Sequence, residues 1–131
     1  MAIENNANHG VVLFARDISR VADFYQQTLG LSVVEEKPSH YLLQGGGIEI
    51  VIHALSKKAA ASIVIEDPPE RRVDSPFKPA FFVQELSAVR AAAKSTGGGL
   101  KPVSGAWEIR GAVVLDGWDP EGNIVQFKQK I

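Results

Sequence analysis

The sequence predicts an α+β fold built from two βαβββ modules. Three observations predict it: short apolar runs of strand character, a helical spacing of apolar residues after the first run of each half, and glycines where each helix should end. The two halves also repeat. Shifting the first by 68 positions aligns Asp17 with Glu85, Val21 with Val89 and Gly30 with Gly98. We interpret this as an internal duplication within one domain of 131 residues.

Module one is predicted over residues 10–55. An apolar strand at 11–15 precedes Asp17, a residue type favoured at helix N-caps, and Gly30 follows the helix where a positive φ is needed. The helix between them carries apolar residues at helical spacing: Ile18, Val21, Ala22, Tyr25 and Leu29. Strands are then predicted over 31–36, 40–43 and 48–55, with a glycine hairpin turn at 45–47.

A linker is predicted over residues 56–78, rich in proline and charge, with a possible short edge strand over 62–65. Module two, residues 79–131, then repeats the plan. A strand at 80–83 leads to Glu85 in the place of Asp17, a helix follows, and the glycines at 97–99 end it. Further strands are predicted over 107–109, 112–115 and 124–127. Pro120 marks a type I turn within 119–123.

Composition excludes several classes of function. The 14 Lys and Arg balance 15 Asp and Glu, which argues against a nucleic-acid partner held by a basic surface. No apolar stretch approaches the roughly 20 residues of a membrane span, and no secretory signal is recognisable, so no membrane partner is expected. The absence of cysteine removes disulfides and thiolate metal sites and fits a cytoplasmic protein.

Two stretches carry a resemblance to a known family: residues 11–17, continuing through Phe24–Tyr25 to Gly30, and residues 119–127. The chain resembles the vicinal oxygen chelate superfamily, which includes glyoxalase I, extradiol dioxygenases, methylmalonyl-CoA epimerase, and fosfomycin- and bleomycin-resistance proteins. The resemblance covers residues 10–127. It implies that the two modules form a half-open barrel, that chains pair into a homodimer, and that the partner is a small molecule bound in a cleft.

The resemblance also locates the superfamily's metal-binding positions. They correspond here to Gly10, Glu49, Pro79 and Gln126. Glycine and proline offer no side-chain ligand, whereas metal sites usually have three or more protein ligands. We therefore expect no cofactor and an incomplete metal site. The alternative is a divalent metal bound by His9, Glu49 and Gln126, which requires the first strand to shift its register by one residue.

Candidate ligand-binding residues follow from the same positions. Glu49 and Gln126 are the polar anchors, and His53, four residues beyond Glu49, shares its strand face. The alternatives without a binding role are that Glu49 pairs with an arginine or faces water, and that His53 is exposed to solvent. His40 is also expected to be exposed. Five large aromatics could wall a pocket, although such residues are more often core: Phe14, Phe81, Phe82, Trp107 and Trp118. Of these, Trp118, Trp107 and Phe81 are the assigned candidates.

The first functional hypothesis is a metal-free small-molecule-binding protein similar to the bleomycin-resistance group, acting by sequestration. The second is an enzyme, a glyoxalase-like lyase, epimerase or dioxygenase that uses a divalent metal. An accessory subunit without a pocket is the third. No catalytic residue is assigned, because only Glu49 offers a candidate base and its binding role is equally consistent.

Overall fold

A computed structural model describes residues 5–131. Module one contains β1 (His9–Ala15), α1 (Ile18–Leu29), β2 (Ser32–Lys37), β3 (His40–Gly45) and β4 (Ile48–Ala54), and a short helix α2 (Lys57–Ala61) follows it. Module two contains β5 (Ala80–Val83), α3 (Leu86–Ser95), β6 (Gly99–Leu100), β7 (Trp107–Ile109), β8 (Ala112–Trp118) and β9 (Ile124–Lys130), with a 3₁₀ turn at Val103–Gly105.

Each module builds one mixed sheet. Sheet one has the order β1-β4-β3-β2, and sheet two the order β5-β9-β8-β6 with β7 also paired to β8. In both, the first strand lies parallel to the last, because the helix carries the chain back across the sheet. The predicted α+β class is confirmed. Across residues 5–131 the two sheets remain separate and do not join into a closed barrel.

The two helices pack against each other and join the modules. Helix α1 buries Val21, Phe24 and Tyr25, and α3 buries Val89 and Ala93. Full burial of one large apolar side chain stabilises a fold by about 1.5–3 kcal/mol, so these buried helix faces contribute much of the free energy that holds the two modules together. The chain just after α3 passes so close to α1 and β8 that residue 98 must be glycine. A Cβ there would collide with the Phe24 ring and the Trp118 carbonyl oxygen.

The predicted edge strand over 62–65 is wrong. Helix α2 forms just before it, capped by Ser56, whose Oγ accepts from the Ala59 N–H at 3.1 Å. Residues 63–66 then run without strand pairing. The alanine-rich segment favours a helix, and the prolines that follow cannot donate to a strand ladder. A second difference is β6, which forms where the glycines were expected only to end α3.

In the described part of the chain, residues 5–131, no helix combines the length and the apolar character needed to cross a bilayer.

Candidate functional site

Each sheet has one face covered by the helices and an opposite face, called here the inner face. Along β4, Ile50 and Ile52 are fully buried on the helix side. On the inner face of sheet one, Val12 and Phe14 of β1 are 61% and 59% exposed. Strand alternation places Glu49 and His53 on this inner face as well.

Glu49 lies opposite Gly10 across the parallel β1–β4 pair. Its Oε1 accepts a hydrogen bond from Gln44 Nε2 at 3.1 Å. A Cβ built on Gly10 would be 3.7 Å from Glu49 Oε2, so residue 10 faces the same side as the carboxylate. His9 pairs with Ile48 and alternation turns it to the other face. The strand therefore has the register that puts glycine, rather than histidine, beside Glu49.

His53 shares the inner face with Glu49 but lies near the other end of β4, in a group of aromatic rings. Its ring is 5.6 Å from that of Phe14 and stacks on His40 at 6.1 Å between centroids. The His53 side chain is exposed, and its Nδ1 is 2.8 Å from the Ala54 carbonyl oxygen. His40 is half-buried rather than exposed as expected, because its ring lies against His53 and its Nε2 is 3.6 Å from Glu35.

Gln126 lies on the inner face of sheet two, in a row with Ala80 of β5 and Asp116 of β8. Its Nε2 donates to Asp116 Oδ1 at 3.3 Å, and the other oxygen of that carboxylate is 3.1 Å from Lys78 Nζ. The residue opposite Gln126 is Ala80 rather than the expected Pro79, whose carbonyl oxygen accepts the Gln126 backbone N–H. Gln126 therefore sits in a polar cluster with Lys78 and Asp116.

The sequence reasoning missed Asp116. The predicted strand ended at residue 115, whereas β8 continues to Trp118. A strand extended by three residues would have put Asp116 on the same face as Val114, and hence beside Gln126.

The three candidate aromatics occupy different environments. Trp107 is 41% exposed and faces the inner side opposite Val114. Trp118 is half-buried: it packs on Gly99, and the guanidinium of Arg71 lies 3.5 Å from its ring centroid. That stack is a cation–π contact made within the chain.

Phe81 and Phe82 divide between the two faces of β5. Phe81 is 8% exposed and packs in the core, whereas Phe82 is 61% exposed. Adjacent strand residues point to opposite faces, so only one of them can reach the inner side. The structure favours Phe82 over Phe81 as a wall residue.

The turn between β8 and β9 holds a buried carboxylate. Asp119 Oδ1 accepts from the backbone N–H groups of Glu121 and Asn123, and Oδ2 accepts from Asn123 Nδ2 and the Tyr25 hydroxyl at 2.8 Å. Burial raises the pKa of Asp119, against the lowering effect of these bonds. Burial and the nearby Asp119 also raise the pKa of Tyr25 well above its ordinary 10.0. This network ties module two to helix α1.

Glu121 makes a second tie at the same place. Its Oε1 and Oε2 accept from the backbone N–H groups of Arg16 and Asp17 at 2.9 and 2.8 Å, just before α1 begins. Because Glu121 is only 4% exposed, the two carboxylates of this turn are structural rather than available to a ligand.

Comparison with known proteins decides the family. Residues 8–109 match the model of the Glyoxalase/Bleomycin resistance protein/Dioxygenase superfamily. The chain belongs to this superfamily. A search of the curated proteins finds no match.

Solved structures of the superfamily share the fold. A glyoxalase/bleomycin resistance protein/dioxygenase family enzyme from Burkholderia phytofirmans is similar with a TM-score of 0.65 at 24% identity, covering 93% of this chain and 97% of that one. A fosfomycin resistance protein, FosX, from Listeria monocytogenes gives 0.64 at 14% identity, covering 100% and 96%. A glyoxalase/bleomycin resistance protein from Albidiferax ferrireducens gives 0.65 at 18%, covering 94% and 97%. At these identities the likeness establishes the fold alone.

At the superfamily's metal positions, Glu49 and Gln126 are the two side chains that carry an oxygen donor. Gly10 contributes no donor beside Glu49, and Ala80 contributes none beside Gln126. The carboxylate bonded to Gln126, that of Asp116, already pairs with the ammonium group of Lys78, whose positive charge opposes a second cation. Within residues 5–131, no three His, Asp or Glu side chains converge as a metal site requires.

Proposed function

We propose that this chain is a small-molecule-binding protein of the glyoxalase/bleomycin-resistance type that lacks a complete metal site and acts by binding or sequestering its ligand. The observation that carries the proposal is the pairing on the two inner faces. Glycine stands opposite Glu49 and alanine opposite Gln126, so in each of these two pairs one residue alone carries a polar side chain, where a metal site needs more donors.

The inner faces have the composition of a ligand site. Large apolar side chains are exposed there beside a few polar groups, which is the usual chemistry of a small-molecule pocket. The exposed apolar residues that we assign to this site are Val12, Phe14, Trp107 and Ile109. We infer that a second copy covers them, forming a homodimer with the pocket between the chains, because a lone protein rarely leaves such a face in water. We expect this dimer in the cytoplasm.

Glu49 is the proposed polar anchor for the ligand. Among the described residues only Gln44 bonds its side chain, through Oε1, which leaves Oε2 to accept a hydrogen bond from a ligand N–H or O–H. The missing side chain at Gly10 leaves room beside that oxygen. His53 and Trp107 flank the same faces, and Gln126 can donate to a ligand only by giving up its bond to Asp116.

The second candidate is a divalent-metal-dependent lyase, epimerase or dioxygenase of the same superfamily. It is favoured by the superfamily membership and by the oxygen donors that remain at Glu49 and Gln126. A metal enzyme of this kind needs further ligands from outside the described clusters, such as the substrate or a second copy.

Metal retention separates the two candidates. Tag-free protein would be analysed by mass spectrometry before and after incubation with nickel, zinc, manganese and iron, with Glu49→Ala as the test variant and Glu108→Ala as an exposed control on β7. The binding proposal expects no stoichiometric metal in any of the three proteins. One metal per chain that Glu49→Ala loses and Glu108→Ala keeps would overturn it in favour of the enzyme.

Glu49→Ala also tests the anchor. In a small-molecule screen followed by titration, it should weaken the best hit about tenfold, which is the range of one charge-assisted hydrogen bond, while the melting temperature stays near that of the native chain. Glu108→Ala should change neither quantity. If Glu49→Ala instead unfolds the protein, Glu49 is structural and the site assignment fails.

A further inference from the structure

A groove of about 830 Å³ runs along the junction of the two modules, and neither Glu49 nor Gln126 lines it. One wall is the last turn of α1 with Gly30, and the other is the end of β5 and the first turn of α3. Its volume lies within the roughly 300–1,000 Å³ range of small-molecule sites. The groove is therefore large enough for a ligand of its own.

The groove combines an apolar lining with an exposed aromatic ring. Leu29 of module one and Val83, Ala88 and Val89 of module two supply aliphatic surface. Phe82 also lines it and is 61% exposed, although such a ring is normally buried in a core. This lining fits the apolar body of a ligand.

Two ammonium groups lie over the exposed ring. Lys130 Nζ is 5.2 Å and Lys128 Nζ 5.6 Å from the centroid of Phe82. Within residues 5–131, neither lysine is within salt-bridge distance of a carboxylate. Lys130 and one acidic residue, Glu85, line the groove, and Lys128 lies just outside the lining at the same ring, so the three charges together leave one net positive charge. This charge fits an anionic head group.

We propose that the groove binds a small amphipathic organic anion, with its apolar body along Leu29, Val83 and Phe82 and its carboxylate, sulfonate or phosphate beside Lys128 and Lys130. The groove lies at the edge strand β5 of sheet two, and none of Glu49, Gln126 and Trp107, which belong to the pocket proposed above, lines it. It depends on both modules, because α1 forms one wall and β5 with α3 the other.

Two fluorescent probes with one aromatic body isolate the charge. Anilinonaphthalene sulfonate is the anionic probe, and N-phenyl-1-naphthylamine is the same framework without the sulfonate. The native chain should bind the anionic probe about tenfold more tightly than the neutral one, and added sodium chloride should narrow that difference, because salt screens exposed charges.

Variants locate the site. The double change Lys128→Met and Lys130→Met keeps the side-chain length and removes both charges, so it should abolish the preference for the sulfonate. Lys94→Met, on the exposed face of α3, is the matched control and should keep it. Ala88→Trp fills the groove from α3 and should weaken both probes about tenfold. Gln27→Trp repeats the block from α1, should Ala88→Trp fail to fold.

The outcomes separate this proposal from the function proposed above. Equal affinity for the two probes, or a sulfonate preference that survives in the double lysine variant, would show that the lysines do not select an anion. Full binding by a folded groove-filling variant, with loss in Glu49→Ala, would move the probe to the inner face and overturn the groove while leaving the proposed function in place. Absence of binding by both probes would also overturn the groove.

Discussion

The two modules close their last hairpins in opposite ways. In module one, β3 and β4 are joined by Gly46 and Gly47, both with positive φ (59° and 81°), as a tight two-residue hairpin requires. In module two, residues 119–123 join β8 and β9, and the Asp119 carboxylate accepts four hydrogen bonds inside the protein. The first turn depends on the conformational freedom of glycine, whereas the second is held by hydrogen bonds to a buried side chain.

The difference shows how a repeated unit acquires a new task. Within residues 5–131, the hydrogen bonds of the glycine turn stay within its own sheet and the N-terminal segment, where the Asn8 N–H donates to the Gly47 carbonyl oxygen at 2.7 Å. The acidic turn reaches the other module, through Tyr25 from Asp119 and through the Arg16 and Asp17 N–H groups from Glu121. Module two therefore fixes the position at which α1 begins.

Asp119→Ala tests this comparison with the largest expected effect. It leaves the Tyr25 hydroxyl and two backbone N–H groups without their acceptor in a buried place, which should lower the free energy of unfolding by about 3 kcal/mol. Urea denaturation followed by circular dichroism measures it.

Gly46→Ala is the matched change in the other turn. It introduces left-handed backbone strain alone and should cost about 1 kcal/mol. If the two variants lose the same free energy, the acidic turn has no role beyond its own hairpin and the contrast between the modules fails.

Tyr25→Phe probes the same link through pH. The pKa of Tyr25 is raised well above 10.0 in the folded chain, whereas an unfolded tyrosine ionises near that value. Its contribution to stability is therefore complete below pH 10 and lost as pH rises further. We expect Tyr25→Phe to cost about 1 kcal/mol near neutral pH and to flatten the alkaline fall in stability.

Urea midpoints across an alkaline pH series test that expectation. Tyr41→Phe, at the half-exposed second tyrosine, leaves Tyr25 in place and should keep most of the alkaline fall. An unchanged alkaline limb in Tyr25→Phe would mean that other groups cause the fall.

The sequence predicted the paired modules and the neighbours of Glu49, because alternation and glycine punctuation are local signals. The glycine turn sets the register of the β3–β4 hairpin, and that turn can be read in the sequence. Gly10, on the parallel strand β1, faces the side of Glu49 as expected. Distant contacts left no such signal. Nothing in residues 119–123 alone indicates that Glu121 accepts from N–H groups more than 100 positions away.

The candidate site was less predictable than the fold for the same reason. Whether Phe81 or Phe82 is exposed depends on the single register of a four-residue strand, and a misplaced strand end hid Asp116. The lysines over Phe82 belong to no motif, since charges near the end of a strand are ordinary surface residues until their neighbours are known.

The helix starts give the finest comparison of the modules, because Asp17 and Glu85 align in the repeat. Asp17 Oδ1 accepts from the Arg20 N–H at 3.1 Å, as an N-cap does. Glu85 makes no such bond, and Gln129 Oε1 accepts from the Leu86 N–H at 2.8 Å instead. A glutamate has one methylene more than the short side chains that suit this geometry, so a residue from β9 has replaced it.

Three alanine variants test this comparison of the helix starts, and their expected effects on stability are the smallest. Asp17→Ala should cost about 1 kcal/mol, and Gln129→Ala about the same, because each removes the acceptor at the start of a helix. Glu85→Ala should stay within about 0.5 kcal/mol, as expected for a surface change. Thermal unfolding of the three variants decides it: a loss at Glu85 equal to that at Asp17 would mean that the aligned residues still act alike, and that the modules diverged only in their turns.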